Sequence, residues 1–121
     1  INNMNQALED NYLLVLASDQ SAGKNGTSNK FFNRLTSTPK GAAIFHLKKK
    51  IPIIILFILM NKDYSYSIKS KILTIEFDEE TNEEKINIIN QNYNIELEKM
   101  VRDYPNQYFW FHRKWNKKHY K

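Results

Sequence analysis

Residues 51–60 read Ile-Pro-Ile-Ile-Ile-Leu-Phe-Ile-Leu-Met, without one polar side chain. Ten residues are too few to cross a bilayer as a helix, which needs about 20. The β-branched content, with the proline confined to the start, predicts a central buried strand. A chain of 121 residues that must cover such a strand builds one small domain around it. The composition agrees, with 41% hydrophobic and 26% charged residues.

The flanking segments supply the cover. Asn61, Lys62 and Asp63 read as a turn. Residues 64–77 follow as a long strand in which Tyr64, Tyr66 and Ile68 keep one parity and Leu73, Ile75 and Phe77 the other. That switch near Ile72 predicts a bulge or a break into two strands. Thr81-Asn82-Glu83-Glu84 fits a capping box. The helix behind it carries Ile86, Ile89, Tyr93, Leu97, Met100 and Val101 on one stripe and should stop near Tyr104, before Pro105.

Upstream, residues 3–11 read as the end of a helix. Residues 12–17 (Tyr-Leu-Leu-Val-Leu-Ala) form a short apolar run that stops at Ser18-Asp19. This pattern predicts a strand buried on both faces, as in a parallel sheet. Ligands of open α/β sheets bind beyond the carboxyl ends of such strands, which draws attention to Asp19. Its competing role is to cap local backbone amides. Residues 20–37 carry Gly23, Gly26 and many Ser, Thr and Asn, and read as a long loop anchored by Phe31-Phe32. Thr38-Pro39 then predicts an N-cap and first helical residue, with the helix ending in Lys48-Lys49-Lys50. Helix, strand, helix, strand, strand, helix is an α/β order.

Charge and motif content narrow the chemistry. The net charge is +5, which suits an anionic partner, although a solvated basic face explains it equally well. An acidic block (Glu76, Asp78, Glu79, Glu80, Glu83, Glu84) is offset by cations toward the C-terminus: Lys99, Arg102, Arg113, Lys114, Lys117, Lys118 and Lys121. With no cysteine there is neither a disulfide nor a thiolate zinc site. His46, His112 and His119 are scattered and make no metal site, so none is expected. No G-x-S-x-G elbow surrounds Ser21, and Gly23-Lys24-Asn25-Gly26 is no P-loop. The stretch from Tyr104 to Asn116 interleaves aromatic and basic residues. Such a segment can stack on single-stranded bases, anchor at a membrane interface, or close a core.

Asp19-Gln20, Gly23-Lys24-x-Gly26, Phe31-Phe32-x-Arg34, Thr36-Ser37-Thr38-Pro39-x-Gly41, Ile51-Pro52-Ile53 and Tyr104-Pro105-Asn106-Gln107-Tyr108-x-Trp110-x-His112-Arg113-Lys114-Trp115 occur in that order. Together they resemble the C-terminal half of the bacterial lipid A biosynthesis acyltransferases, the lauroyl and myristoyl transferases of the lysophospholipid acyltransferase group. The resemblance implies an α/β fold with a mostly parallel central sheet flanked by helices, of which residues 1–121 form a partial domain. It implies an enzyme of the inner membrane, at its cytoplasmic face, with no cofactor. Its partners would be acyl carrier protein or acyl-CoA as donor, a glycolipid acceptor and the membrane surface, not nucleic acid.

By the same resemblance a histidine general base, followed four or five residues later by Asp or Glu, lies upstream of Ile1. The chain alone would then be inactive. Asp19 takes a supporting catalytic role, with Gln20, Gly26, Phe31, Phe32 and Arg34 as substrate-binding candidates. Many relatives have glycine where this chain has Asn33, and Asn tolerates left-handed backbone better than most residues. The competing reading is a small basic, aromatic-rich nucleic-acid-binding module. Burial of Trp110 and Trp115 would favour the acyltransferase core, and exposed coplanar rings would favour base stacking.

Overall fold

The computed structural model of the chain describes residues 2–120, apart from the side chains of Lys117 and Lys118. Those two cations and Lys121, counted above in the basic tail, lie outside what is described. The apolar run is a strand, as expected. It forms β3 (Ile53–Met60) and pairs antiparallel with β4 (Tyr66–Leu73) across the turn after Asn61. The register is regular from Ile53↔Leu73 to Met60↔Tyr66, so the parity switch in the sequence is no bulge. Both parities are apolar because both faces of this ladder carry apolar residues. Ile55, Leu59 and Leu73 point into the core, whereas Ile54, Leu56, Ile58, Met60, Tyr66, Ile68 and Ile72 stay exposed. The chain leaves β4 after Leu73, and Ile75 and Phe77 continue into the core without a ladder partner.

A second antiparallel hairpin, β1 (Thr27–Phe31) with β2 (Arg34–Thr38), occupies what reads in sequence as a loop. Its inward residues are mostly polar: Thr27, Asn29, Thr36 and Thr38 are buried alongside Phe31. The long helix (α3, Asn82–Asp103) makes this possible by presenting amides to the hairpin. Asn90 Nδ2 donates to Thr27 Oγ1 (2.6 Å), Asn94 Nδ2 to Thr38 Oγ1 (2.9 Å), and Asn29 Nδ2 to the Asn87 carbonyl (3.1 Å). Buried polar groups are tolerated when they are hydrogen-bonded in this way. α3 begins at the expected capping box, with Thr81 accepting from the Glu84 amide, and ends before Pro105.

Three expectations are corrected. The sheets are two small antiparallel hairpins, with no parallel central sheet among the described residues. Residues 12–17 are extended but unpaired, since no neighbouring strand among the described residues meets their backbone. Leu14 and Leu16 turn partly inward, while Leu13 (88% exposed) and Val15 (81%) face out. Thr38 does not cap a helix, because it closes β2 and its hydroxyl accepts from Asn94. Helix α2 starts at Gly41 and runs to Lys49, with its basic last turn and a left-handed Lys50 as the stop. A short N-terminal helix, α1, spans Asn2–Glu9.

Two apolar clusters form the core. Ala43, Ile55, Leu73 and Ile89 make one, and Phe31, Leu97 and Val101 the other; Phe57 and Tyr93 pack against both. Among the described residues no helix is long and apolar enough to cross a membrane.

Candidate functional site

Asp19 sits where the extended segment 12–18 bends toward the β1–β2 hairpin. Beneath that segment runs an open slot of about 920 Å³, lined by Leu14, Leu16, Phe45, Ile53, Phe57 and Tyr93, with Asp19, Asn90 and Tyr104 among its polar groups. The sequence makes such a slot because the extended segment presents alternate leucines toward the apolar inner faces of β3 and α3 without closing on them.

The residues after α3 hold the Asp19 bend. Pro105 starts a short turn, Pro105–Gln107, which redirects the chain back across the hairpin. Tyr108 Oη donates to the Asp19 carbonyl (3.2 Å), and Lys114 Nζ donates to the same carbonyl (2.6 Å). The Ser21 amide donates to His112 Nε2 (2.9 Å). The strap is itself fastened to the hairpin. Thr36 Oγ1 donates to the Lys114 carbonyl, and Trp115 Nε1 donates to the Phe31 carbonyl (2.9 Å). Phe31 is fully buried and central to this packing, with Tyr108 and Trp115 rings 5.9 and 5.7 Å away and Lys114 Nζ 5.3 Å from its centroid.

Burial and the Asp19 charge set the protonation of the surrounding groups. Tyr93 is raised well above the ordinary phenol value by desolvation and then by Asp19. Tyr108 is pushed up to about 12 by burial, with the charge of Asp19 second. Lys114 is drawn down to about 8 by desolvation, against the opposing pull of Asp19. Around neutral pH both phenols therefore keep their protons, next to Asp19 at the edge of the apolar slot.

The candidates from sequence separate spatially. Asp19, with exposed Gln20 beside it, borders the slot. Gly26 lies at the open end of the hairpin, where a Cβ would meet Ser37 Oγ at 2.1 Å and the Thr38 carbonyl at 2.6 Å. Phe32 and exposed Arg34 stand at the turn end, about 17 Å of strand away. Phe31 reaches Asp19 through Lys114 and Tyr108. Asn33 and Phe32 both have positive φ (59° and 49°), so Asn33 does hold the left-handed turn position. Tyr93, Tyr108 and Lys114 carry no site role in the sequence reading. Tyr93 reads there as one more residue of a core stripe, and the other two as part of a family signature. His46 and His112 are engaged structurally, the first through Nδ1 with the Ile51 carbonyl (2.6 Å). Trp115 is half-buried, while Trp110 is 45% exposed, with its ring edge-on to Tyr108 at 78°.

Residues 1–117 match the sequence model of a family described as bacterial lipid A biosynthesis acyltransferase. Among curated proteins none matches the chain at a significant level.

Proposed function

The chain belongs to the bacterial lipid A biosynthesis acyltransferase family, and from that membership we propose that it serves transfer of a fatty acyl group to a hydroxyl of a lipid A-type glycolipid, with Asp19 at the reacting end of the apolar slot. The observation that carries this reading is that Asp19, Tyr93 and Tyr108 together line the slot where it meets the bend. The slot suits an alkyl chain, since ligand pockets are mostly apolar clefts with a few convergent polar groups.

In the reaction the acceptor hydroxyl attacks the thioester carbonyl of an acyl carrier protein or coenzyme A donor. A C–O bond forms, the C–S bond breaks, the hydroxyl proton passes to a general base, and the thiolate leaves to be protonated. The base is proposed, from the family membership, to be a histidine outside residues 1–121. Asp19 would position the acceptor or a catalytic cation. Gln20, Gly26, Phe31, Phe32 and Arg34 remain proposed for the substrate side, with Arg34 suited to a phosphate or carboxylate. The exposed apolar face of β3–β4 and the basic, aromatic C-terminal segment support work at a membrane surface, proposed as the cytoplasmic face of the inner membrane.

The test is acyl transfer to a lipid A precursor by the full-length protein and its Asp19→Ala variant, with either donor. We expect a loss of about a hundredfold or more in kcat with the circular dichroism unchanged. Wild-type transfer by the variant would return Asp19 to a loop-capping role.

A further inference from the structure

Lys114 is a buried lysine, 1% exposed, that the proposed chemistry does not use. Its ammonium donates to the Asp19 carbonyl and lies against the face of Phe31. A carbonyl oxygen has two lone pairs, and at Asp19 Tyr108 Oη supplies the second donor. Two residues on, the Ser21 amide is held by His112. Thus one strap after α3 fixes two backbone groups on either side of Gln20 and leaves the Asp19 carboxylate outside this set of bonds.

Burying an ammonium costs several kcal/mol unless it is well paired, so a lysine placed here against the Asp19 carbonyl points to a role beyond core packing. We propose that Lys114 is a positioning residue for acyl transfer, holding the Asp19 bend so that its carboxylate faces the slot. This inference rests on the reading of Asp19 given above.

Two readouts on the full-length protein separate the inference from that reading. Lys114→Met keeps the apolar stem and removes the donor. Hydrogen exchange of the amides in 18–22 should rise about tenfold, with little change elsewhere, because the loss is local. In the same variant kcat should fall about tenfold while the acceptor KM stays within about twofold, the pattern of an interaction used in the transition state. Unchanged exchange at 18–22, or raised exchange with wild-type kcat, overturns the proposal. If Lys114→Met does not fold, Tyr108→Phe is decisive. It removes one of the two donors with the ring kept, and should raise exchange at 18–22 by about threefold and lower kcat; no change in either overturns the proposal. Asp19→Ala with wild-type kcat would remove the acyl-transfer reading instead, and the exchange result would still show whether Lys114 holds the bend.

Discussion

Lys114 Nζ meets the backbone carbonyl of Asp19 at 2.6 Å from a side chain that is almost wholly buried. Desolvation draws this ammonium down to about 8, from an ordinary 10.5. Between those values the unfolded chain binds a proton that the folded state has released. Stability therefore rises with pH across that window. The shift is equivalent to about 3–4 kcal/mol at most. Tyr108 works the other way from its ordinary value of 10.0 upward, because its folded phenol holds the proton up to about 12. Urea unfolding at pH 7, 8, 9 and 10 should show stability increasing to a maximum near the top of that range. In Lys114→Met the increase should be largely gone, and a flat wild-type profile would show that the lysine is better solvated than its burial indicates.

The turn of the β1–β2 hairpin places Phe32 and Asn33 at φ 49° and 59°. Two-residue hairpins with both central residues left-handed favour Asn and Gly. Phe32 is held there by its amide, which donates to Glu98 Oε1 (2.7 Å), and by Arg102, 4.8 Å from its ring centroid. Asn33→Gly should leave stability within about 0.5 kcal/mol of wild type, whereas Asn33→Val should lower it by about 1–2 kcal/mol. Thermal melting of the two variants checks both numbers, and equal melting would mean that the turn adopts another geometry.

Gly26 is required by space rather than by φ. Its backbone lies so close to β2 that an added Cβ would sit 2.1 Å from Ser37 Oγ and 2.6 Å from the Thr38 carbonyl. Gly26→Ala should cost about 1–3 kcal/mol, the range for overpacking. The double variant Gly26→Ala, Ser37→Ala should recover little of that, since the Thr38 carbonyl is backbone and cannot step aside. Full recovery in denaturant unfolding would mean that the hydroxyl alone was the obstacle.

What the sequence discloses here depends on whether an element's own residues state its partners. β3 and α3 are legible because the continuous apolar run and the capping-box stripe each encode burial locally. The β1–β2 hairpin is not, because its inward Thr27, Asn29, Thr36 and Thr38 look like loop residues until their partners are known: Asn90, Asn94 and the Asn87 carbonyl of α3, and the Lys114 carbonyl for Thr36. Residues 12–17 carry a strand-like composition, yet composition cannot supply a neighbouring backbone to pair with. Asp19 stands out in sequence by its position after that run. Lys114 and Tyr93 do not, because their relation to Asp19 spans 95 and 74 residues of chain respectively and arises only from packing.

Gln107, within the same terminal motif, makes a testable contact of its own. Its side-chain amide imitates a strand residue: Oε1 accepts from the Met60 amide (2.8 Å) and Nε2 donates to the Met60 carbonyl (3.0 Å). This pairs the last residue of β3 on the edge away from β4 and ties the exposed aromatic turn of Phe109 and Trp110 to the hairpin. Gln107→Glu keeps the size but replaces the donor with a second acceptor facing a carbonyl. It should lower stability by about 1 kcal/mol, and Gln107→Ala by about as much through loss of both bonds. Both variants should also speed hydrogen exchange at the Met60 amide. If Gln107→Glu melts with the wild type and the Met60 amide stays protected, the paired amide contributes nothing to holding the turn against β3.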